Sequence, residues 1–131
     1  MIGLDTNILV RYIIQDDISQ SARAEQLIES LTQQDQGFFT LVALAEFCWV
    51  LTRSYKIKRS ELVRTIDWLL EIDRIVVNDE LRVVEARNLF ANSNADFGDC
   101  LIFCCSVAAG CTTVLTFDKS AAKAAGMKLL A

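Results

Sequence analysis

The segment MIGLDTNILVRY, residues 1–12, decides the fold class. Its first four residues form a short apolar run that ends at Asp5. From Thr6 to about Ile14 the chain has the composition of a short helix, with Asp5 or Thr6 near its N-cap. A buried strand that passes directly into a helix is typical of an α/β fold. The segment therefore predicts a first strand at residues 1–4 with an acid at its carboxyl end.

Short apolar strands alternate with helices along the rest of the chain. Further strands are predicted at residues 37–40, 74–77, 112–117 and 127–130, and helices at 19–31, 41–54, 60–72, 79–91, 96–109 and 119–125. This alternation is typical of a parallel sheet covered on both faces. We expect a single domain over residues 1–131 with an α/β fold, built as a three-layer α/β/α sandwich around a short central parallel sheet.

The composition excludes several classes of protein. The chain has 131 residues and is 53% hydrophobic, which excludes intrinsic disorder. No apolar run reaches about 18 residues without a charge, so no membrane span is expected. The N-terminal segment has no basic start and no small-residue cleavage site, so a secretory signal is not expected and the predicted location is the cytoplasm.

Histidine and cysteine limit the chemistry. The chain has no histidine, which removes the Ser-His-Asp and Cys-His types of nucleophilic catalysis. The number of cysteines is five, no two have the C-x-x-C spacing, and all lie in apolar surroundings, so free thiols are expected and a zinc site is disfavoured. The net charge of −4 does not indicate a broad basic surface for nucleic acid, although it allows a nuclease with a local basic rim.

Five carboxylates lie at the end of an apolar run or inside one. They are Asp5, Glu46, Asp96, Asp99 and Asp118. Because ligands of open α/β sheets gather at the carboxyl ends of the strands, we expect these acids to converge at one edge. Crowded carboxylates repel one another unless a cation neutralises them, and a divalent metal is the usual cation. The set therefore predicts metal-dependent chemistry, most readily on phosphodiesters.

Each acid also has a simpler interpretation. Asp5 and Asp118 follow strands and could serve as helix caps, and Asp96 with Asp99 could form a capping pair. Glu46 lies in a helix that is apolar nearly all round, so we expect it to be buried, where an ion pair with Arg11 would explain it. The sequence leaves these interpretations open beside the metal site.

Basic and aromatic residues suggest further surfaces. A basic turn contains Arg53, Lys56, Lys58 and Arg59 with Tyr55, and is either a phosphate-contacting rim or a solvated turn. Arg11, just past the first acid, is a candidate for a phosphate or partner contact. Aromatic residues on adjoining helices, namely Phe47, Trp49, Tyr55 and Trp68, predict a homodimer interface.

Four segments of the chain resemble the acidic motifs of the PIN-domain family. They are LDTNILVRY, LVALAEFCWVL, ADFGDCLI and VLTFDKS, and their order and spacing cover essentially the whole chain. More narrowly, the chain resembles the toxin component of VapBC-type toxin–antitoxin pairs. By this resemblance the acidic quartet is Asp5, Glu46, Asp99 and Asp118. Asp96 matches an additional acid, and Asn7 and Thr116 match polar positions beside the quartet.

The resemblance implies an Mg²⁺- or Mn²⁺-dependent ribonuclease that acts on RNA, is often dimeric and is inhibited by a small antitoxin protein. Asp5 and Asp99, with Asp96, are then the expected metal ligands, and Glu46 is expected to orient the attacking water. The alternatives are a PIN nuclease of RNA processing, a PIN-like module without catalysis, and a phosphoacceptor domain with an acidic pocket.

Overall fold

The computed structural model describes residues 1–130, in which five short strands alternate with seven helices. The elements are β1 (Ile2–Gly3), α1 (Thr6–Ile14), α2 (Ile18–Ser30), β2 (Gly37–Phe39), α3 (Leu41–Arg53), α4 (Arg59–Glu71), β3 (Ile75–Val77), α5 (Glu80–Ala91), α6 (Phe97–Ala108), β4 (Leu115–Thr116), α7 (Lys119–Ala124) and β5 (Lys128–Leu129). Every predicted element is present, with ends that differ from the prediction by no more than three residues. The α/β fold class with a short parallel sheet is confirmed.

The strands form two parallel sheets, not one. A three-stranded sheet has the order β1-β2-β3, and β4 pairs separately with β5. The short central parallel sheet is formed by β1, β2 and β3, and the two C-terminal strands of the described chain lie outside it. Both of these strands are only two residues long, and Leu115 and Leu129 leave 54% and 40% of their surface exposed.

The carboxyl edge of the three-stranded sheet is held by backbone and side-chain hydrogen bonds. Leu4 N donates to Phe38 O at 2.9 Å, and Asn78 N donates to Phe39 O at 3.1 Å. The side chain of Asn78 accepts from Leu41 N at 2.6 Å, which ties the start of α3 to the end of β3. Thr40 caps α3, because its Oγ1 accepts from Ala43 N at 3.0 Å. The helices that follow β1 and β2 therefore begin side by side at this edge.

The core lies between the sheet and the helices. In α3 the buried residues Leu44, Phe47, Cys48 and Leu51 recur at helical spacing and form one stripe. The ring of Phe47 meets the ring of Phe39 edge-to-face at 5.8 Å, which joins α3 to β2.

The helices α4 and α5 are joined by an ion pair. Arg87 donates from Nε and Nη2 to the two carboxylate oxygens of Asp67, each at 2.8 Å. A paired geometry of this kind fixes orientation as well as distance.

None of the helices within residues 1–130 combines the length and the apolar character that crossing a bilayer requires.

Candidate active site

A pocket of about 350 Å³ opens where α3, α4, α5, α6 and α7 meet. Three of the predicted acids, Asp96, Asp99 and Asp118, line it. The remaining lining residues are Thr52, Arg53, Ile57, Arg59, Leu62, Phe90, Asn94 and Ser120. The pocket therefore brings together side chains that are distant in sequence, with carboxylates from the start of α6 and from the N-cap of α7 and arginines from α3 and α4.

Asp96 and Asp99 are placed by the start of α6. Asp96 is the N-cap, in an extended conformation with φ −68° and ψ 143°, and its backbone carbonyl accepts from Cys100 N at 3.0 Å. Its carboxylate makes no cap hydrogen bond. Asp99 follows in the first turn of the helix and is half-buried. The capping-pair interpretation is therefore wrong for the Asp96 side chain, which stays available to a ligand.

Burial and the neighbouring charges in the pocket raise the pKa of Asp99. Burial raises the pKa of its carboxyl above the ordinary value, and the negative charges of Asp96 and Asp118 raise it further. None of these three acids forms an ion pair within residues 1–130, although Arg53 and Arg59 line the same pocket. The carboxylates therefore share the pocket with two guanidinium groups but make no direct ion pair with either.

Asp118 and Asp5 do act as helix caps. Asp118 Oδ1 accepts from Ser120 N at 2.8 Å and from Ala121 N at 3.4 Å. Asp5 Oδ1 accepts from Thr6 N at 2.9 Å. In each carboxylate these bonds use Oδ1 and leave Oδ2 without a protein partner. A cap and a metal ligand can therefore coexist in the same side chain.

The predicted residue Thr116 supports Asp118 through the backbone. Its Oγ1 accepts from Asp118 N at 3.0 Å, within the turn that leads from β4 into α7. This bond fixes the turn on which the acid stands, so the polar position beside the quartet has a structural role.

Asp5 and Glu46 do not line the pocket. Asp5 directly follows β1 and Leu4, and continuing the register of β1 and β2 places it beside Thr40, the N-cap of α3. Glu46 lies in the second turn of α3 and is exposed, so the prediction that it is buried is wrong. Because α3 packs only one stripe of its residues against the core, Val42, Glu46 and Trp49 lie on its solvent side. The same side of α3 reaches the pocket at Arg53, about 10.5 Å further along the helix axis.

Arg11 and Asn7 lie at a different place on the surface. Both line a second cavity of about 390 Å³ between α1 and α2. The guanidinium of Arg11 binds Asp16 and the Tyr55 hydroxyl, both at 3.1 Å, so the predicted pair with Glu46 is wrong. The Tyr55 hydroxyl donates to Asp16, and this hydrogen bond lowers the pKa of the Asp16 carboxyl. The positive charge of Arg11 lowers that pKa further. Arg11 is therefore engaged within the fold and does not face the acidic pocket.

The thiols provide no metal site. All five cysteines are free, and Cys48 and Cys100 are buried. Burial raises the pKa of Cys100 to about 12, and burial with the nearby Asp96 charge raises that of Cys48. Thiols of this kind stay protonated at neutral pH, whereas a metal ligand is a thiolate.

The acids are not arranged as a closed metal cage. Within residues 1–130, no three acidic or cysteine side chains stand close enough together to hold a metal ion as they are. The chemistry of the donor set nevertheless fits a hard cation, because Mg²⁺ and Mn²⁺ prefer carboxylate oxygens. The carboxylates of Asp96 and Asp99 accept no hydrogen bond from the described protein and are free to turn towards a cation.

Sequence comparison decides the family. A model of the PIN domain matches residues 2–127. The chain belongs to the PIN domain family. A search of the curated proteins found no match. PIN domains are generally metal-dependent nucleases that bind RNA and use a divalent metal.

The PIN domain pocket also contains residues that the sequence did not single out. Asn94 and Ser120 line it beside the acids. Arg59, which the sequence assigned to a basic turn, is instead the first residue of α4 and lies against the pocket. The sequence signal for Arg59 was its place in a cluster of charges, which did not distinguish it from Lys56 and Lys58.

Proposed function

We propose that this PIN domain protein is an Mg²⁺- or Mn²⁺-dependent endoribonuclease whose active site is built around Asp96, Asp99 and Asp118. The observation that supports this most directly is the environment of Asp99. It shares a pocket with two further carboxylates, and no basic side chain within the described chain forms an ion pair with any of them. A fold that keeps three acids together without a partner favours a cation as the missing charge.

The remaining members of the acidic quartet, Asp5 and Glu46, lie outside the lining of this pocket. Asp5 stands where β1 meets α1, beside the N-cap of α3, and Glu46 is on the exposed side of α3. We assign Asp5, Asp99 and Asp96 as metal ligands. Because the carboxylates do not form a cage as they stand, metal binding requires their side chains to turn towards one another.

A bound divalent cation supplies an activated water and neutralises charge on the phosphoryl oxygens. The protein residues orient the reaction. Glu46 would orient the attacking water, through a bound water or as a base, and Asp118 holds the C-terminal side of the pocket in place through its cap on α7. The side chain of Arg53 makes no ion pair within residues 1–130 and lines the pocket, so we assign it a contact with a phosphate. Since water and not the 2′-hydroxyl attacks, the products carry a 5′-phosphate and a 3′-hydroxyl.

The narrower proposal is that the protein is the toxin of a toxin–antitoxin pair, located in the cytoplasm. It rests on the likeness of the four acidic segments to toxins of the VapBC type. The expected partner is a small antitoxin with an extended tail that crosses the acidic pocket. An arginine of that tail would suit the unpaired carboxylates, because its planar fork binds carboxylates in a bidentate manner. Purification from the native operon is expected to yield this second chain, and recovery of the ribonuclease alone would contradict the toxin proposal in favour of a PIN nuclease of RNA processing.

The experiment that tests the ribonuclease function is sequencing of RNA ends after controlled expression in cells. The wild type is expected to generate new 5′-phosphate ends at a limited set of sites, in single-stranded regions whose unpaired bases are accessible. Asp5→Ala is the control and is expected to generate none of them. New ends that appear equally with both proteins would contradict the proposal.

A further inference from the structure

Arg59 binds the segment that carries the acids into the pocket. Its Nη1 donates to Ala95 O at 2.9 Å, and its Nη2 donates to Phe90 O at 2.7 Å and to Ser93 O at 2.8 Å. These carbonyls extend from the last turn of α5 to the residue before Asp96. One guanidinium therefore spans the whole connection between α5 and α6.

The same guanidinium stacks on an aromatic ring. Its central carbon lies 3.8 Å from the centre of the Phe90 ring, within the range of a cation–π interaction. Phe90 in turn meets Phe97 edge-to-face at 5.7 Å. Arg59, Phe90 and Phe97 thus form a continuous stack that joins the start of α4, the end of α5 and the start of α6.

Arg59 forms no ion pair with the acids, although it lines their pocket. Within residues 1–130 no carboxylate oxygen lies within ion-pair distance of its guanidinium. Its donors are directed instead at one carbonyl in the last turn of α5 and two in the connection that follows; Phe90 O also accepts from Ser93 N at 3.4 Å. A residue kept mainly for its charge would pair with the nearby carboxylates, and this one does not.

The geometry points to a positioning role: Arg59 fixes the α5–α6 connection and so sets the position of Asp96 and Asp99 in the pocket. Its effect on the α5–α6 connection does not depend on which reaction the protein catalyses. Its effect on catalysis rests on the proposed ribonuclease function, in which these two acids are metal ligands. Lysine cannot replace arginine in this role, because an ammonium group lacks the planar fork that reaches three carbonyls while stacking on a ring.

The test compares Arg59→Lys and Arg59→Gln with Arg64→Lys. Arg64 is an exposed residue of the same helix whose side chain makes no ion pair within residues 1–130, so it controls for the substitution itself. Hydrogen–deuterium exchange of the purified, metal-free protein is measured over residues 91–100. This window contains the Cys100 amide, which donates to Asp96 O at the start of α6. The amides of α1 serve as an internal reference for global stability.

Both Arg59 variants are expected to exchange at least about tenfold faster over residues 91–100, with α1 unchanged, as the loss of a hydrogen bond from a charged group implies. In an RNA-cleavage assay kcat is expected to fall in both, with KM changed less than about twofold, because the metal ligands and not the substrate contacts are disturbed. Arg64→Lys is expected to match the wild type in both assays.

Two results would overturn the inference. The first is wild-type exchange over residues 91–100 in Arg59→Lys. The second is restoration by Arg59→Lys of the kcat that Arg59→Gln loses, which would make the charge, and hence a phosphate contact, the relevant property. If the wild type cleaves no RNA, the proposed function fails, and the exchange measurement alone decides the positioning role. The lysine variant keeps the charge and so preserves the comparison if the glutamine variant does not fold.

Discussion

Asp96 and Asp118 both occupy the N-cap of a helix, but only Asp118 uses its carboxylate to bind the helix that it precedes. Asp118 Oδ1 accepts from two amides of α7, whereas the Asp96 side chain makes no cap bond to α6. An N-cap acid normally contributes to stability through such bonds. The Asp96 carboxylate is therefore placed at the pocket without serving its helix, which is the pattern expected for a residue kept for a ligand.

This difference predicts opposite effects of alanine on stability in EDTA. Asp118→Ala removes two cap acceptors and is expected to lower the free energy of unfolding by about 0.5–2 kcal/mol. Asp96→Ala removes no cap bond, relieves charge repulsion with Asp99, and is expected to leave the stability unchanged or higher. Urea unfolding with a constant m value measures both. Equal losses in the two variants would contradict this assignment of the caps.

A divalent metal is expected to stabilise the wild type. A ligand that binds only the folded state adds RT ln(1 + [L]/Kd), about 2.7 kcal/mol at 100 times Kd. Asp96→Asn is expected to reduce the Mn²⁺- or Mg²⁺-induced rise in Tm, because it removes a proposed ligand. Glu29→Gln, an exposed acid of α2, is the matched control and is expected to keep the full rise. A metal-induced shift of the same size in all three proteins would argue against a site in the pocket.

Much of the fold was predictable where the local sequence pattern determines the secondary structure. The apolar run that ends at Asp5 predicted β1 and α1, and the structure has α1 at Thr6–Ile14 as predicted. Gly110 follows the C-cap residue of α6 and has φ 100°, a conformation that favours glycine, in agreement with the predicted end of this helix. Three of the five acids share a pocket, whereas the sequence led us to expect all five at one edge of the sheet.

The incorrect predictions concern residues whose burial or contacts are set by packing between elements that are distant in sequence. Glu46 was expected to be buried because its neighbours are apolar, but α3 buries only one stripe and leaves Val42 and Trp49 exposed with it. Phe47, assigned to a dimer interface, is fully buried against Phe39. The role of Arg59 depends on carbonyls more than thirty residues away, which no local pattern indicates.

The effect of pH on Asp99 gives a further prediction. The pKa of Asp99 is raised by burial and then by Asp96 and Asp118, so the folded state releases this proton at a higher pH than the unfolded state, whose pKa is about 3.9. Ionisation of Asp99 therefore lowers the free energy of unfolding as pH rises through this window. In EDTA at pH 7 Asp99→Asn is expected to melt no lower than the wild type. This advantage is expected to shrink as pH falls towards the unfolded pKa, and an advantage that grows on acidification would contradict the assignment.

The predicted homodimer depends on Trp49 of α3, which is 55% exposed, with the aromatic residues of the adjoining turn and helix. Fully buried Phe47 takes no part, whereas Tyr55 and Trp68 are half-buried. Light scattering of the wild type at micromolar concentration is expected to give the mass of a dimer. Trp49→Lys places a charge on this face and is expected to give a monomer, with Tm as the check on folding. A monomeric wild type would contradict the interface.

The most direct test of the account is cleavage of a short unpaired RNA by purified wild type and Asp99→Asn, with Mg²⁺ or Mn²⁺ and with EDTA. The account predicts cleavage by the wild type only with metal, products with 5′-phosphate and 3′-hydroxyl ends, and a loss of activity of at least about a thousandfold in Asp99→Asn, of the order seen when a residue central to catalysis is removed. Glu29→Gln is expected to cleave like the wild type. Metal-dependent cleavage that Asp99→Asn retains would place the active site elsewhere and contradict the central claim.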